Sequence, residues 1–397
     1  MRWSGGGRPP RPYGAAAVVL LLVAGALLYA VHAPGGTGAA ADGPQRTVVE
    51  VSRSRCGRGW DHPAAGLQVF ALHNTSDRAA EVYLEDPRSR AVFGEAEGIA
   101  PGTTRSLTVR LGRGVYAFRC VPEDADAVTG PVVRVGGGTS GPAAVPVGEP
   151  DLIPPAISYQ KWVARGLDEL VRLTGRLRSA VDRGDLAGAR AAWLPAHLRY
   201  ARLGGAYDAF GDAGGRIDGT DAGLPRGVHD PSFTGFHRVE YGLWHGEPAR
   251  TLRAPAARLA EDVTALRDAW ARTRMDPAGL GLRAHEILED TVRSELTGRT
   301  DYGSGTTVAT ARAHLDGTRA VLSRLRPLLA TRYPGLPALD RRLDRAQALL
   351  DGSRRGGHWT PLDRLGRSRR ERIDAALGDL LERLASVATL CDPRRTA

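Results

Sequence analysis

The sequence predicts a multidomain chain, with an N-terminal membrane anchor, a small β-sandwich and a C-terminal all-α helical bundle. Three observations predict it. An uncharged apolar stretch follows a basic N-terminus, short runs with period-2 alternation come next, and leucines at helical spacing recur from there to the end. With 397 residues, both globular parts are long enough to bury a core of their own.

Arg2, Arg8 and Arg11 precede the apolar stretch Ala15–Val31. Basic residues stay on the cytoplasmic side, so 1–14 reads as a cytoplasmic basic tail and 15–32 as a transmembrane or signal-anchor helix. The stretch is short for a membrane span and slightly long for a cleaved signal core. A small-residue site at Ala39-Ala40-Ala41 lies far past the apolar core. An uncleaved anchor is therefore favoured over a secreted or periplasmic form left by signal cleavage. No cysteine closes the stretch, which excludes a lipoprotein anchor. The remainder is expected to form extracytoplasmic domains on a single-pass cell-membrane protein, with residues 33–46, rich in Gly and Ala, as a flexible linker.

Residues 47–136 read as the β-sandwich. Val48 to Val51, Leu67 to Leu72, Leu107 to Leu111 and Val115 to Phe118 are short runs, several alternating apolar and polar. Turn signals such as His73-Asn74-Thr75-Ser76-Asp77, Pro101-Gly102 and Gly112-Arg113-Gly114 separate them. Cys56 and Cys120 flank this region, and in an oxidising compartment a disulfide between them is the first structural reading. Cys391 is left without an obvious partner.

Gly136-Gly137-Gly138 ends the β region and opens a linker over 137–155. From 156 to 397 the pattern is helical. Leu252, Leu259, Val263, Leu266 and Trp270 share one face, as do Leu315, Leu322, Leu325 and Leu329, and later Ile373, Leu377, Leu380, Leu384 and Val387.

The formal net charge of +10 raises the question of nucleic acid. Lys161 is the sole lysine, and the arginines are spread through every segment beside Asp and Glu, as in Asp340-Arg341-Arg342-Leu343-Asp344-Arg345. A nucleic-acid footprint is clustered on one element, so no nucleic-acid partner is expected.

The sharpest chemical signal is Gly235-Phe236-His237-Arg238-Val239-Glu240. Pro231 and Ser232 provide a helix start, and i, i+3 spacing sets the imidazole and carboxylate on one face, within reach of one cation. On spacing alone, a surface pair remains the commoner explanation. The motif, embedded in Thr-Gly-Phe-His-Arg-Val-Glu-Tyr-Gly-Leu-Trp, resembles the signature of the imelysin family, specifically its EfeO-type iron-uptake members. Tyr207-Asp208-Ala209-Phe210-Gly211-Asp212 with Arg216-Ile217-Asp218 resembles the segment just upstream. Arg283-Ala284-His285-Glu286-Ile287-Leu288-Glu289-Asp290 resembles a later helix, and the β region with Cys56, Glu81 and Cys120 is similar to the family's cupredoxin-like domain.

The resemblance implies an imelysin-like helical domain behind a cupredoxin-like sandwich. It also implies a non-enzymatic role, binding iron, or another first-row ion such as zinc or copper, for a membrane permease and a peroxidase-like partner. His237 and Glu240 become the expected metal ligands, joined by Asp208, Asp218 and Glu289 from other helices, with Tyr241 and Trp244 as walls. Where the family carries two glutamates after a Tyr-Glu-Arg start, this chain reads Tyr200-Ala201-Arg202-Leu203-Gly204, and the later loop reads Arg299-Thr300-Asp301-Tyr302-Gly303-Ser304. Those losses support one alternative, an interaction protein with a decayed site. A metallopeptidase is the other, although His285-Glu286-x-x-Glu289 lacks the second histidine of a helical zinc grip. A blue-copper centre needs two His, a Cys and usually a Met, and the residues after Cys120 include neither His nor Met. Cys56 and Cys120 form either a disulfide or, with Glu81, a different metal site.

Overall fold

A computed structural model describes residues 46–395. The expected basic tail, the anchor helix and all but the end of the first linker lie outside the described residues. Among the described residues no helix is long and apolar enough to cross a membrane.

The N-terminal part is a sandwich of two sheets. Strands β1 (Arg46–Val51), β2 (Cys56–Arg58), β3 (Gly66–Asn74) and β6 (Thr104–Leu111) form one, in the order β2-β1-β3-β6. Strands β4 (Ala80–Glu85), β5 (Val92–Ile99), β7 (Gly114–Pro122) and β8 (Val128–Thr129) form the other, in the order β5-β4-β7-β8, and β9 (Val133–Val135) also pairs with β7. Strand β6 shows the alternation that its sequence carries: Leu107, Val109 and Leu111 are buried, whereas Thr108 and Arg110 are exposed. Between the sheets Trp60, Phe70 and Phe118 meet edge-to-face, with centroids 5.1 to 5.5 Å apart. Cys56 and Cys120 are joined in a disulfide that ties β2 to β7. The pair is thereby removed as a thiolate site.

The helical part comprises α1 (Glu149–Asp182), α2 (Leu186–Ala201), two short helices α3 (Tyr207–Phe210) and α4 (Asp212–Asp218), then α5 (Gly235–Trp244) and α6 (Ala249–Trp270). Helices α7 (Leu280–Arg293), α8 (Thr307–Arg332), α9 (Leu336–Asp351) and α10 (Arg367–Leu390) complete it, with a small hairpin, β10 (Arg354–Arg355) and β11 (His358–Trp359), before the last. The apolar faces read from the sequence are the buried ones: Leu252, Leu259, Val263, Leu266 and Trp270 on α6, and Ile373, Leu377, Leu380, Leu384 and Val387 on α10. Helix α1 packs against α2 and α6, and α7 packs against α8 and α10.

The second linker differs from expectation. Helix α1 begins at Glu149, with Pro154 and Pro155 inside it near its N-terminal end, where proline is best tolerated. The rest of that segment is pinned: Ala144 exchanges backbone hydrogen bonds with Val92, and Arg332 Nε donates to the Val145 carbonyl at 3.2 Å.

Candidate metal centre

Helices α2, α4 and α5 converge on a buried polar cluster within an apolar bundle. His237 and Glu240 stand on α5, both nearly inaccessible at 2% and 1% exposure. His237 Nδ1 lies 3.1 Å from Glu240 Oε2, which leaves Nε2 facing Asp218 at the end of α4, 3.7 Å from its Oδ1. His197 on α2 points its Nε2 at the same oxygen from 3.2 Å. One ligand atom from each of His197, Asp218 and His237 therefore lies within 4.8 Å of the others. Asp218 Oδ1 and His197 Nδ1 are buried yet make no hydrogen bond. Buried polar atoms are nearly always bonded, so a buried carboxylate oxygen approached only by two imidazole nitrogens, at 3.2 and 3.7 Å, marks a place suited to a ligand.

Local structure fixes this geometry. Gly235 opens α5 with φ of +77°, and a Cβ there would lie 2.2 Å from the Ile217 carbonyl oxygen. Only glycine lets the start of α5 sit on the end of α4, one residue from Asp218. The Trp193 ring stacks on His197 at 4.7 Å, and its Nε1 donates to the Phe236 carbonyl, which orients the α2 histidine against α5. Tyr302 covers His237, with ring centroids 5.1 Å apart.

Glu240 has a different place from the one expected. Its Oε2 faces His237, and its Oε1 accepts the backbone N–H groups of Tyr302 and Ser304, each at 3.2 Å. With both oxygens engaged, it orients the imidazole, the arrangement typical of a carboxylate behind a metal-bound histidine. The loop that supplies these donors is folded on Asp301, whose Oδ1 accepts from Gly303 and Gly305.

Asp208 and Glu289 are not brought to the centre. Asp208 is 70% exposed and paired with Arg283 at 2.9 Å. Glu289 is paired with Arg293 at 3.0 Å and lies 3.6 Å from His285. Both line a cavity of about 400 Å³ on the α3–α7 side, where each is balanced by an arginine. Of the expected walls, Trp244 packs edge-on against Trp193, whereas Tyr241 stacks on His245.

Electrostatics follow from this packing. Burial alone would lower the His237 pKa, but the Glu240 hydrogen bond and the nearby Asp218 outweigh it and raise the imidazole to about 9. Burial would raise Asp218, yet His197, His237 and His314 hold its carboxyl below the ordinary value. His314 on α8, whose Nδ1 meets the Thr291 hydroxyl at 2.9 Å, is pushed down to about 4 by burial. Burial also raises Glu295, which accepts from the Thr300 hydroxyl. Beside His197 and Glu240 lies a cavity of about 10 Å³, room for about one water.

His197, His314 and Glu295 were not singled out in the sequence. A histidine one turn beyond Trp193 on an apolar helix face reads as core, and no motif flags it. Its only signal is an ionisable group among Ala189, Trp193, Ala196 and Tyr200, all buried.

Comparison with known proteins bears on this cluster. The imelysin (Peptidase_M75) family model matches residues 156–387. The iron uptake system component EfeO of Yersinia pestis is 28% identical over 329 residues, which cover 81% of this chain and 85% of that protein. The protein of the same name from Escherichia coli K12 is 27% identical over 351 residues, 88% of this chain and 92% of its own.

Proposed function

The chain belongs to the imelysin family, and from that premise we propose that it is the metal-binding component of an iron uptake system. His197, His237 and Asp218 hold the cation, and Glu240 positions His237. The supporting observation is the convergence of two buried imidazole nitrogens on one buried, unbonded carboxylate oxygen. Two imidazoles and a carboxylate form a set that suits ferrous iron and leaves coordination positions open for water or a carrier. Iron is the cargo named by the relatives' own titles. The basic flank before the apolar N-terminal stretch supports an extracytoplasmic, membrane-tethered protein that passes its ion to a membrane permease and a peroxidase-like partner.

The role is binding without turnover. The cavity that touches the centre has about 10 Å³, far too little for a peptide bond and its flanking residues. The Cys56–Cys120 disulfide and the absence of a His/Met pair around it leave the sandwich without a thiolate copper site.

The test is titration of Fe²⁺, Zn²⁺ and Cu²⁺ into wild type, His197→Ala, His237→Ala and Asp218→Asn, with peptide cleavage assayed alongside. One ion per chain, lost or weakened at least about a hundredfold in each variant, is expected. If all four proteins bind alike, the cluster is not the site. Chelator-sensitive cleavage would transfer it to a metallopeptidase.

A further inference from the structure

A second cavity in the helical part lies against α4, α5 and α6, and three arginines line it. It measures about 800 Å³ and is bounded by the segment 228–234, by Arg216 on α4, Arg238 on α5, and Arg258 on α6. That volume is in the range of small-molecule sites.

Two features of its charges point to an anion. Arg216 and Arg258 both bind the single buried carboxylate of Asp262, Arg216 through Nε at 3.2 Å and Arg258 through Nε at 2.8 Å. Two guanidiniums thus share one buried counter-charge, with Glu261 nearby but exposed to solvent. The Nη groups of both, the fork that grips carboxylates, donate to no protein atom among the described residues. Arg238 differs: its Nη2 donates to Glu247, while its Nη1 is buried and has no hydrogen-bond partner among the described residues. The one carboxylate on the wall, Asp230, is occupied by the backbone N–H groups of Ser232 and Arg226.

The remaining wall is mixed: His229, Ser232 and Thr234 are polar, and beside them lies a stiff apolar face. Pro231, Pro255 and Val228 line it with Phe233, which is 3% exposed. A bare inorganic ion has no use for such a surface, whereas a compact organic acid does. Phe233 packs on Tyr302 at 5.1 Å, and Tyr302 packs on His237 at the same distance, so one aromatic layer separates this cavity from the metal cluster.

We propose that the cavity walled by Arg216, Arg258, Pro231 and Phe233 is a binding site for a small organic di- or tricarboxylate. It goes beyond the metal-binding reading and does not depend on it. The free Nη forks take the carboxylates, and the proline and phenylalanine surfaces take the carbon skeleton.

Tricarballylate and succinate, titrated into the full-length protein in metal-free buffer, provide the test. Wild type is expected to saturate with one tricarballylate per chain. Arg216→Gln and Arg258→Gln should each weaken binding at least about tenfold, as loss of a charge-assisted pair does. His237→Ala, which empties the metal cluster of a ligand, should bind tricarballylate like wild type. Because either glutamine variant leaves Asp262 under-compensated, Arg258→Lys serves beside them: it keeps the charge, loses the fork, and should still bind several-fold more weakly. No saturable binding to wild type overturns the proposal, as do arginine variants that bind like wild type. Competition by sulfate as strong as by tricarballylate would also overturn it, since the site would then be for inorganic anions.

Discussion

In the proposed site a proton and a metal ion compete for His237. Its pKa of about 9 means that the imidazole is protonated at neutral pH, held so by Glu240 and Asp218 against its burial. A cation must displace that proton, so affinity should rise about tenfold per pH unit from 7 to 9 and level off above. This window lies well above the ordinary histidine pKa of about 6.5. Titration calorimetry in buffers of different ionisation enthalpy checks it: about one proton released per ion at pH 7 is expected, and none would refute the assignment. Glu240→Gln removes the charge that raises His237, so the rise should move to lower pH and the plateau affinity should fall by about 10- to 100-fold. Without metal the sign for stability is opposite. A raised histidine contributes stability that is complete below about 6.5, its unfolded value, and lost as pH rises through about 9. Asp218, held low, contributes stability that is present above its unfolded value and lost as pH falls through its folded one.

Gly235 shows what the helices must do to bring those residues together. Its positive φ and the 2.2 Å approach that a Cβ would make to Ile217 tie the start of α5 to the end of α4. Gly235→Ala should therefore cost about 1–3 kcal/mol in stability and weaken metal binding as well, by parting His237 from Asp218. Unchanged melting together with unchanged affinity would show that the contact is not needed. The glycine also belongs to the part of the site that was legible in the sequence. Gly-x-His-x-x-Glu is a local pattern that on spacing alone read as a surface pair, and it was the family resemblance of that motif, and of the Arg216-Ile217-Asp218 segment, that named His237, Glu240 and Asp218. Spacing says which residues share a helix face but not which faces meet. Asp208 and Glu289 were therefore wrongly gathered to the centre, and His197, which arrives from α2 across the bundle, gave no sign. The roles within the motif were equally hidden. Nothing in the spacing shows that backbone donors at Tyr302 and Ser304 occupy Glu240. Period-2 and helical patterns, in contrast, are set by burial along one element, so the sandwich strands and the faces of α6 and α10 could be read directly.

From Arg46 onward the chain forms one compact unit, yet it contains two separate apolar cores. One is built around Trp60, Phe70 and Phe118, the other around Trp193, Tyr159 and Phe236. Polar contacts join them. Arg394, just beyond α10, grips Glu95 on β5 with Nε and Nη2 at 3.0 and 2.6 Å, while its backbone N–H donates to the Val147 carbonyl. The arginine is 14% exposed and the glutamate 32%, so the pair is partly shielded and its fork geometry is well matched. Exposed ion pairs couple by about 0–1 kcal/mol. Allowing for Glu95's exposure, a cycle of Arg394→Ala and Glu95→Ala should give about 1 kcal/mol at low salt, diminishing as salt is added. A junction of this kind predicts two unfolding transitions in calorimetry, one per core. The disulfide distinguishes them. It closes a loop of 64 residues within the sandwich, so reduction should remove about 4 kcal/mol from that transition alone. The helical transition, with its metal cluster and its arginine-lined cavity, should stay where it was and still rise on addition of Fe²⁺. A single transition that shifts as a whole on reduction would mean that the cores unfold together. The contacts at Arg394, Ala144 and Arg332 would then be holding one cooperative structure in which the sandwich bears directly on the stability of the metal centre.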